Sequence, residues 1–413
     1  MDNQYLLKHA RKPPFFGVAP PSDLTLAVVI PAYDEPALEQ CLDSLYEADL
    51  PEFGSIEILV IINYSELASP ELVDRSEKQR IILTELYEKC SESRRRLLVH
   101  CEKMPERQAG VGLARKTGMD EVVYRYQMLN LDGLIVNLDA DCTVAPNYFK
   151  VILDFMSQRP KIWAAGIHFE HPFDKLSDPV LRDAIVGYEL HLRYFVAAQR
   201  EIGLPFAYQT VGSCMVVRSS AYQKMGGMNV RKAGEDFYFL HKFIAINRFA
   251  EINDTTVYPS PRPSSRVPFG TGRAVSSVLS GAPQMTYNYK SLQQVSHLIS
   301  SLDLIYQGSN ILQVLNREAP ELYAFLLQLK VESKLIEILR ETSTYPTFQN
   351  RFFQWFNAFR LMKFLHFART RYPDEPVFTE AKKFQLKLEA DLDLSTPGEL
   401  LQWFRKRCRQ HRD

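Results

Sequence analysis

Two carboxylates separated by one residue, Asp139 and Asp141 in the segment NLDADC, follow directly on a short apolar run. Acids this close repel each other. A divalent cation with oxygen ligands, manganese or magnesium, would relieve that repulsion while also holding a diphosphate. Read alone, the same pair would serve as turn residues capping the helix after Pro146. A second acidic pair, Glu235 and Asp236 behind Gly234, stands 95 residues beyond Asp141, at the start of an apolar helical pattern carried by Phe239, Leu240 and Phe243. In a first helical turn such residues complement the helix dipole. Beside a metal-bound diphosphate, one of them could instead take a proton from an attacking hydroxyl.

The elements that must position these groups alternate in type. LTLAVVI (Leu24 to Ile30) and IEILVII (Ile56 to Ile62) read as buried parallel strands, and between them Leu38, Cys41, Leu42 and Leu45 recur at helical spacing. This is a strand-helix-strand unit. The alternation continues with a helix over about 71–90, a strand ending at His100, a helix over about 112–126 and a strand over 133–138. After Pro146 come a further helix, a strand ending at Phe169 and a long helix over about 179–200. The pattern predicts an α/β fold, an open and mostly parallel sheet flanked by helices. Ligands of such sheets sit beyond the carboxyl ends of the strands, which is where Asp139 and Asp141 fall. YPSPRPSSRVPFGTG, residues 258–272, has four prolines and two glycines and predicts an irregular loop. Beyond about Gly281 the spacing is helical, through Leu292, Val295, Leu298, Ile299 and Leu302, then Leu322, Phe325, Leu326 and Leu329 behind Pro320. The last helix opens on Thr396, Pro397 and Glu399, a capping box with proline at its first position.

Composition excludes several classes. Of 413 residues, 46% are apolar and 24% charged, the profile of a globular protein rather than a disordered or fibrous one. Lysine plus arginine balance aspartate plus glutamate at 49 each, so no excess of positive charge is present to hold a nucleic acid backbone. Six cysteines (Cys41, Cys90, Cys101, Cys142, Cys214, Cys408) lie far apart with no CxxC pair, which fits reduced thiols better than a zinc ribbon or a disulfide framework. No apolar run has the length of a signal peptide core or a membrane span. A cytoplasmic protein is the expectation.

Four segments, VVIPAYDEP (28–36), GLARKTG (112–118), LDAD (138–141) and GGMNVRKAGED (226–236), resemble in order and spacing those of the family 2 glycosyltransferases with the GT-A fold, across roughly residues 24–260. The resemblance implies an enzyme of the hexosyltransferase class in glycan biosynthesis, taking a sugar from a nucleotide-diphosphate donor to a saccharide or other hydroxyl acceptor. It implies that Pro31, Ala32, Tyr33 and Glu35 form the floor for base and ribose, with Tyr33 stacking on the base. Arg115 would reach the nucleotide or diphosphate, with Lys116 standing where the family has asparagine. Asp139, Ala140 and Asp141 would bind the cation and diphosphate as a DxD motif, and Asp236 would be the general base of an inverting single displacement, with Glu235 as its alternate. A retaining transferase on the same fold, or a nucleotide-sugar-binding module without turnover, is the alternative reading.

Two departures stand out. Asn63 occupies the position after the second strand where the family has a base-recognising aspartate, and an amide both donates and accepts. The late histidine of many GT-A enzymes is missing from VYPSPRPSSR, where Arg262 and Arg266 are expected as diphosphate clamps. His168, Glu170 and His171 close the fifth strand; His168 and His171, with Gly212 and Ser213, are candidate acceptor contacts. The expected organisation is an N-terminal extension (1–23), a GT-A domain (24–281, with a nucleotide-binding half to about 145 and an acceptor half from about 146) and a C-terminal helical domain (282–413). In that last part an aromatic stripe from Phe352 to Phe367 suits helix-on-helix packing. The basic end FRKRCRQHRD is compatible with a weak contact at the inner face of a membrane as well as with a solvated helix end.

Overall fold

The computed structural model describes residues 3–88, 94–230, 234–263 and 270–411; Cys90 and Arg266 lie outside them. Contacts divide the chain into two compact units, one of residues 1–176, 210–276 and 409–413, the other of 177–209 and 277–408. The sequence boundary expected at about 281 falls instead between Ser276 and Ser277, and the long helix over 179–200 belongs with the C-terminal helices rather than with the sheet. Its local pattern revealed a buried face but not which core that face enters.

The first unit is built on one eight-stranded sheet: β1 (Leu24–Ala32), β2 (Ser55–Ser65), β3 (Arg95–Met104), β4 (Leu134–Asn137), β5 (Thr143–Val144), β6 (Ala164–Phe169), β7 (Met215–Arg218) and β8 (Phe249–Tyr258). Their order is β3-β2-β1-β4-β7-β6-β8-β5. β3, β2, β1 and β4 are parallel neighbours, β7 is antiparallel to β4 and β6, β8 is parallel to β6, and β5 is antiparallel to β8. The mostly parallel sheet expected from the sequence is therefore present. β1 and β2 are buried almost throughout, as continuous apolar runs in a helix-covered sheet must be. β1 lies between β2 and β4, so the strand order reverses there, and the crevice at such a reversal is where ligands of open α/β sheets bind.

Helices α1 (Gln4–Lys8), α2 (Leu38–Glu47), α3 (Pro70–Glu88), α4 (Val111–Leu129), α5 (Tyr148–Gln158), α7 (Ser219–Lys224) and α8 (Glu235–Ile244) belong to this unit; α6 (Pro179–Glu201) belongs to the other. α4 packs onto β1 and β2. Gly118 makes that approach possible, because a Cβ there would collide with Val29 Cγ1. Glu57, a charge inside β2, is fully buried, and Arg125 of α4 forks it with two hydrogen bonds of 2.6 Å each, while the same guanidinium donates to the Val18 carbonyl at 3.0 Å. A buried pair of this kind persists only because its hydrogen bonds are complete.

The first residues, read from the sequence only as an extension, are fastened to α4. Tyr5 and Tyr222 both donate to Asp120 Oδ1, at 2.6 and 2.8 Å, and the Arg11 amide donates to Asp120 Oδ2 at 2.8 Å. The Phe15 amide donates to Glu121 at 2.8 Å.

In the second unit Asp178 caps α6 by accepting from the amides of Val180 and Leu181, with Pro179 at the first helical position. Glu189 is buried and shared by Arg193 and Arg405 at 2.6 to 2.8 Å. Phe352 is in ring contact with both Phe348 and Phe356 and all three are buried, so this end of the aromatic stripe is core. The basic end of the last helix (Pro397–Gln410) is partly neutralised: Arg405 pairs with Glu189, Arg407 with Glu389 at 3.4 Å and, within the first unit, Arg409 with Glu170 at 2.8 Å. Among the described residues no helix is long and apolar enough to cross a membrane.

His191 of α6 gives this unit a pH dependence. Burial pushes its imidazole down to about 4, and Nδ1 sits 2.8 Å from Thr286 Oγ1. The folded value lies below the unfolded 6.5, so the neutral ring's contribution is complete above pH 6.5 and is lost as pH falls towards 4, by up to about 3 kcal/mol. We expect wild type to lose more stability than His191→Gln between pH 7 and pH 4.5 in urea melts; equal losses would remove His191 from the account.

Candidate active site at the switch of strand order

β1 and β4 pair in parallel with Val29 opposite Asn137, so the segments that leave them, from Tyr33 and from Leu138, emerge side by side. The Leu138 amide donates to the Val29 carbonyl at 3.1 Å, and the Cys142 amide closes the acidic turn on the Asp139 carbonyl at 3.0 Å. The chain then enters β5, whose ladder sets Thr143 opposite Tyr258 and Val144 opposite Val257. That two-residue strand, too short to leave a sequence signal, brings the loop after β8 to Asp141.

After β1, Pro31 and Ala32 are buried and Tyr33 is 42% exposed, as a surface for stacking requires. Asp34 has φ of 45° and is held by a fork from Arg75 of α3 at 2.9 and 3.2 Å, while Gln79, one turn later, donates to the Glu35 carbonyl at 3.2 Å. Glu35 is buried; its carboxylate accepts from the Ala37 amide at 2.9 Å and from Arg262 at 2.7 Å to each oxygen. Asn63 is also buried, and its amide donates to the Ala32 carbonyl at 2.9 Å, supporting the backbone of this floor from below.

Asp139, Asp141, Glu235 and Asp236 converge here. Arg115 of α4 is the common partner of three of them, donating to Asp139 Oδ1 at 2.5 Å and to Glu235 Oε1, with its charge also acting on Asp236, while Arg262 acts on Asp141. Asp236 accepts from the backbone amides of Gly212 and Phe237. A Cβ at Gly212 would strike the Arg115 guanidinium and push it out of its present position. Among the described residues, five carboxylates, counting Glu35, therefore face two guanidiniums, those of Arg115 and Arg262. Burial first, then Asp139 and Glu35, push Asp141 up to about 6 against the pull of Arg262. Burial also raises Glu235 and Asp236, with Arg115 opposing in both.

The structure does not bring Lys116 to this cluster, contrary to the expectation from its neighbour. Adjacent residues of a helix point about 100° apart. The Lys116 ammonium lies 3.0 Å from Asp120 and 3.1 Å from the Tyr5 hydroxyl, against the N-terminal arm. His168 is buried with Nε2 3.0 Å from Glu170, which Arg409 also holds, and His171 is buried with Nε2 3.0 Å from Thr271 Oγ1. Ser213 is buried beside Cys214, its Oγ 3.4 Å from the sulfur.

Beneath the acidic turn lie three buried thiols that form no disulfide, Cys41, Cys142 and Cys214. Cys41 Sγ is 3.7 Å from the Asp139 carbonyl and Cys142 Sγ is 3.6 Å from Asp141 Oδ1. Burial and the neighbouring carboxylates hold Cys41 and Cys142 well above the ordinary thiol value.

Among the described residues no three His, Cys, Asp or Glu side chains are arranged to enclose a metal ion by themselves. The donor chemistry nevertheless suits a hard cation: Asp139 and Asp141 offer only oxygens, and a cation there would offset both the burial of Asp141 and its repulsion by Asp139 and Glu35, which together raise it.

Residues 27–226 match the family model described as glycosyl transferase family 2. The chain carries a family 2 glycosyltransferase domain. The matched span of this glycosyltransferase includes β1, α4, the acidic turn and Gly212, and stops before Glu235. Its sheet, with the strand reversal at β1 and antiparallel β7, is the GT-A arrangement. No curated protein matches the glycosyltransferase in sequence. Among solved structures, residues 1–349 of S. aureus TarS in complex with UDP-GlcNAc are 15% identical with a TM-score of 0.40, covering 76% of this chain and 79% of that one. The mannosyltransferase PcManGT from Pyrobaculum calidifontis, in complex with GDP-Man and Mn2+, is 16% identical with a TM-score of 0.34, covering 87% and 90%. Likenesses this weak fix neither substrate nor residue roles.

Proposed function

We propose that this glycosyltransferase moves a sugar from a nucleotide-diphosphate donor to an acceptor hydroxyl, with inversion at the anomeric carbon and with a divalent cation at Asp139 and Asp141. The observation that carries the reading is the charge balance where the strand order reverses: among the described residues five carboxylates face two guanidiniums, and a cation between Asp139 and Asp141 would offset the repulsion that a diphosphate meets there. A bound cation would neutralise the departing diphosphate.

This chain's own residues do the rest. Tyr33 offers a stacking face to the base above the floor formed by Pro31, Ala32, Glu35 and Asn63. Asp236, held by the Gly212 amide and raised by burial, takes the proton of the acceptor hydroxyl. The acceptor oxygen then bonds to the anomeric carbon as the carbon–diphosphate bond breaks and its electron pair stays on the diphosphate. Gly212 and Ser213 flank the base where the acceptor must approach, and His168 and His171 are assigned to the acceptor side beyond them. Arg262, with Arg266 outside the described residues, is the proposed cationic contact for the diphosphate.

A thermal-shift panel of UDP, GDP, ADP, CDP and TDP, each with and without manganese, tests the reading. One nucleoside diphosphate raising Tm only with the metal is the expected result, because a ligand of the folded state stabilises it by mass action. No shift with any pair would count against the proposal.

A further inference from the structure

The sequence resemblance assigned Arg115 to the nucleotide, but its geometry turns it inward. Its side chain is 4% exposed, and its two terminal nitrogens are spent on acids from different parts of the chain, Asp139 after β4 and Glu235 at the start of α8. Glu235 is almost wholly buried, with a side chain 2% exposed, whereas Asp139 is 37% exposed. The guanidinium thus runs from the interior to the floor of the crevice, and the Gly212 backbone closes against it. Gly212 in turn donates to Asp236. One rigid, planar cation therefore fixes the separation between the acidic turn after β4 and the first turn of α8. A lysine could not reproduce this, because a single ammonium lacks the two-pronged geometry.

We propose that Arg115 is a positioning residue that contacts no donor atom and sets the distance between the cation-binding turn and the proton-accepting turn. The inference rests on the function proposed above. If Arg115 holds the two turns in register, loosening it misplaces Asp236 relative to the anomeric carbon without weakening the hold on the nucleotide.

The experiment compares wild type with Arg115→Lys and Arg115→Gln, measuring nucleoside diphosphate binding with manganese by calorimetry alongside kcat and donor KM. Rates are normalised to the binding sites counted in the same titration, so that misfolded protein does not enter them. We expect kcat of Arg115→Lys to fall about 100-fold, the usual consequence of an ångström-scale misplacement. Nucleoside diphosphate Kd and donor KM should stay within about threefold of wild type. If Arg115→Gln does not fold, Arg115→Lys decides alone. A tenfold or greater loss of nucleotide affinity in Arg115→Lys would assign Arg115 to the donor and overturn the proposal, as would an unchanged kcat. If wild type itself binds no nucleoside diphosphate, the functional reading fails and this inference with it. A wild type that binds while the variant does not removes this inference alone.

Discussion

Asp236→Asn is expected to lower kcat by about 10²- to 10⁴-fold, the range that general-base catalysis contributes, while nucleoside diphosphate affinity stays close to wild type. Asparagine keeps an oxygen that can accept from the Gly212 and Phe237 amides, so the first turn of α8 has no reason to rearrange. What is lost is the ability to hold a proton. Burial raises Asp236 above the ordinary aspartate value and makes it a stronger base, and the Arg115 charge keeps that rise in check. Glu235→Gln is a different perturbation, because Glu235 is buried on Arg115 and the amide leaves the guanidinium without its buried counter-charge. It should cost stability first. Initial rates at saturating donor and acceptor separate the two: a threefold or smaller loss in Asp236→Asn would transfer the role of base elsewhere.

The second large effect concerns Asp141. Asp141→Ala should reduce transfer about 10²- to 10³-fold and abolish the manganese-dependent part of the nucleotide-induced thermal shift, since charge stabilisation at the leaving group is worth several kcal/mol. Tyr33→Ala should act mainly on donor KM, because it removes stacking area from a half-exposed ring. The same carboxylate makes an opposite prediction for the protein without metal. The folded value of about 6 lies above the unfolded 3.8, so the cost of ionising Asp141 in the folded protein builds up as pH rises from about 3.8 and is complete above about 6. In EDTA at pH 7.5, Asp141→Asn should therefore be more stable than wild type by up to about 3 kcal/mol, a gain that disappears near pH 4. Turnover by Asp141→Ala near the wild-type level in the presence of metal would contradict the assignment, and so would a metal-free Asp141→Asn no more stable than its parent.

The parts of the molecule that were legible in the sequence are those whose physics is local. β1, β2 and β4 showed as apolar runs because a strand covered on both faces has no polar side to display. The Thr396–Glu399 box showed because its partners are three residues apart, with Thr396 donating its amide to Glu399 at 3.0 Å. The acidic pairs showed because strand ends and helix starts are punctuated by residue type. Partnerships across the chain did not. Nothing in IEILVII indicates that Glu57 meets Arg125, and nothing in MDNQYLLKHAR indicates that Tyr5 meets Asp120. The motif ARK identified two adjacent cations but could not say which would face the crevice, and the family analogy sent both there. Helix geometry sends Arg115 to Asp139 and Lys116 to Asp120.

The three thiols under the acidic turn carry a practical consequence for labelling. Cys41, Cys142 and Cys214 are sealed from solvent, and the two beside the carboxylates resist ionisation, so maleimides and iodoacetamide, which attack thiolates, have no route to them in the folded protein. With the partly exposed Cys101 and Cys408 replaced, a dye on a new surface cysteine can therefore report on the protein while these three sulfurs stay native, which spares the packing directly below the acidic turn.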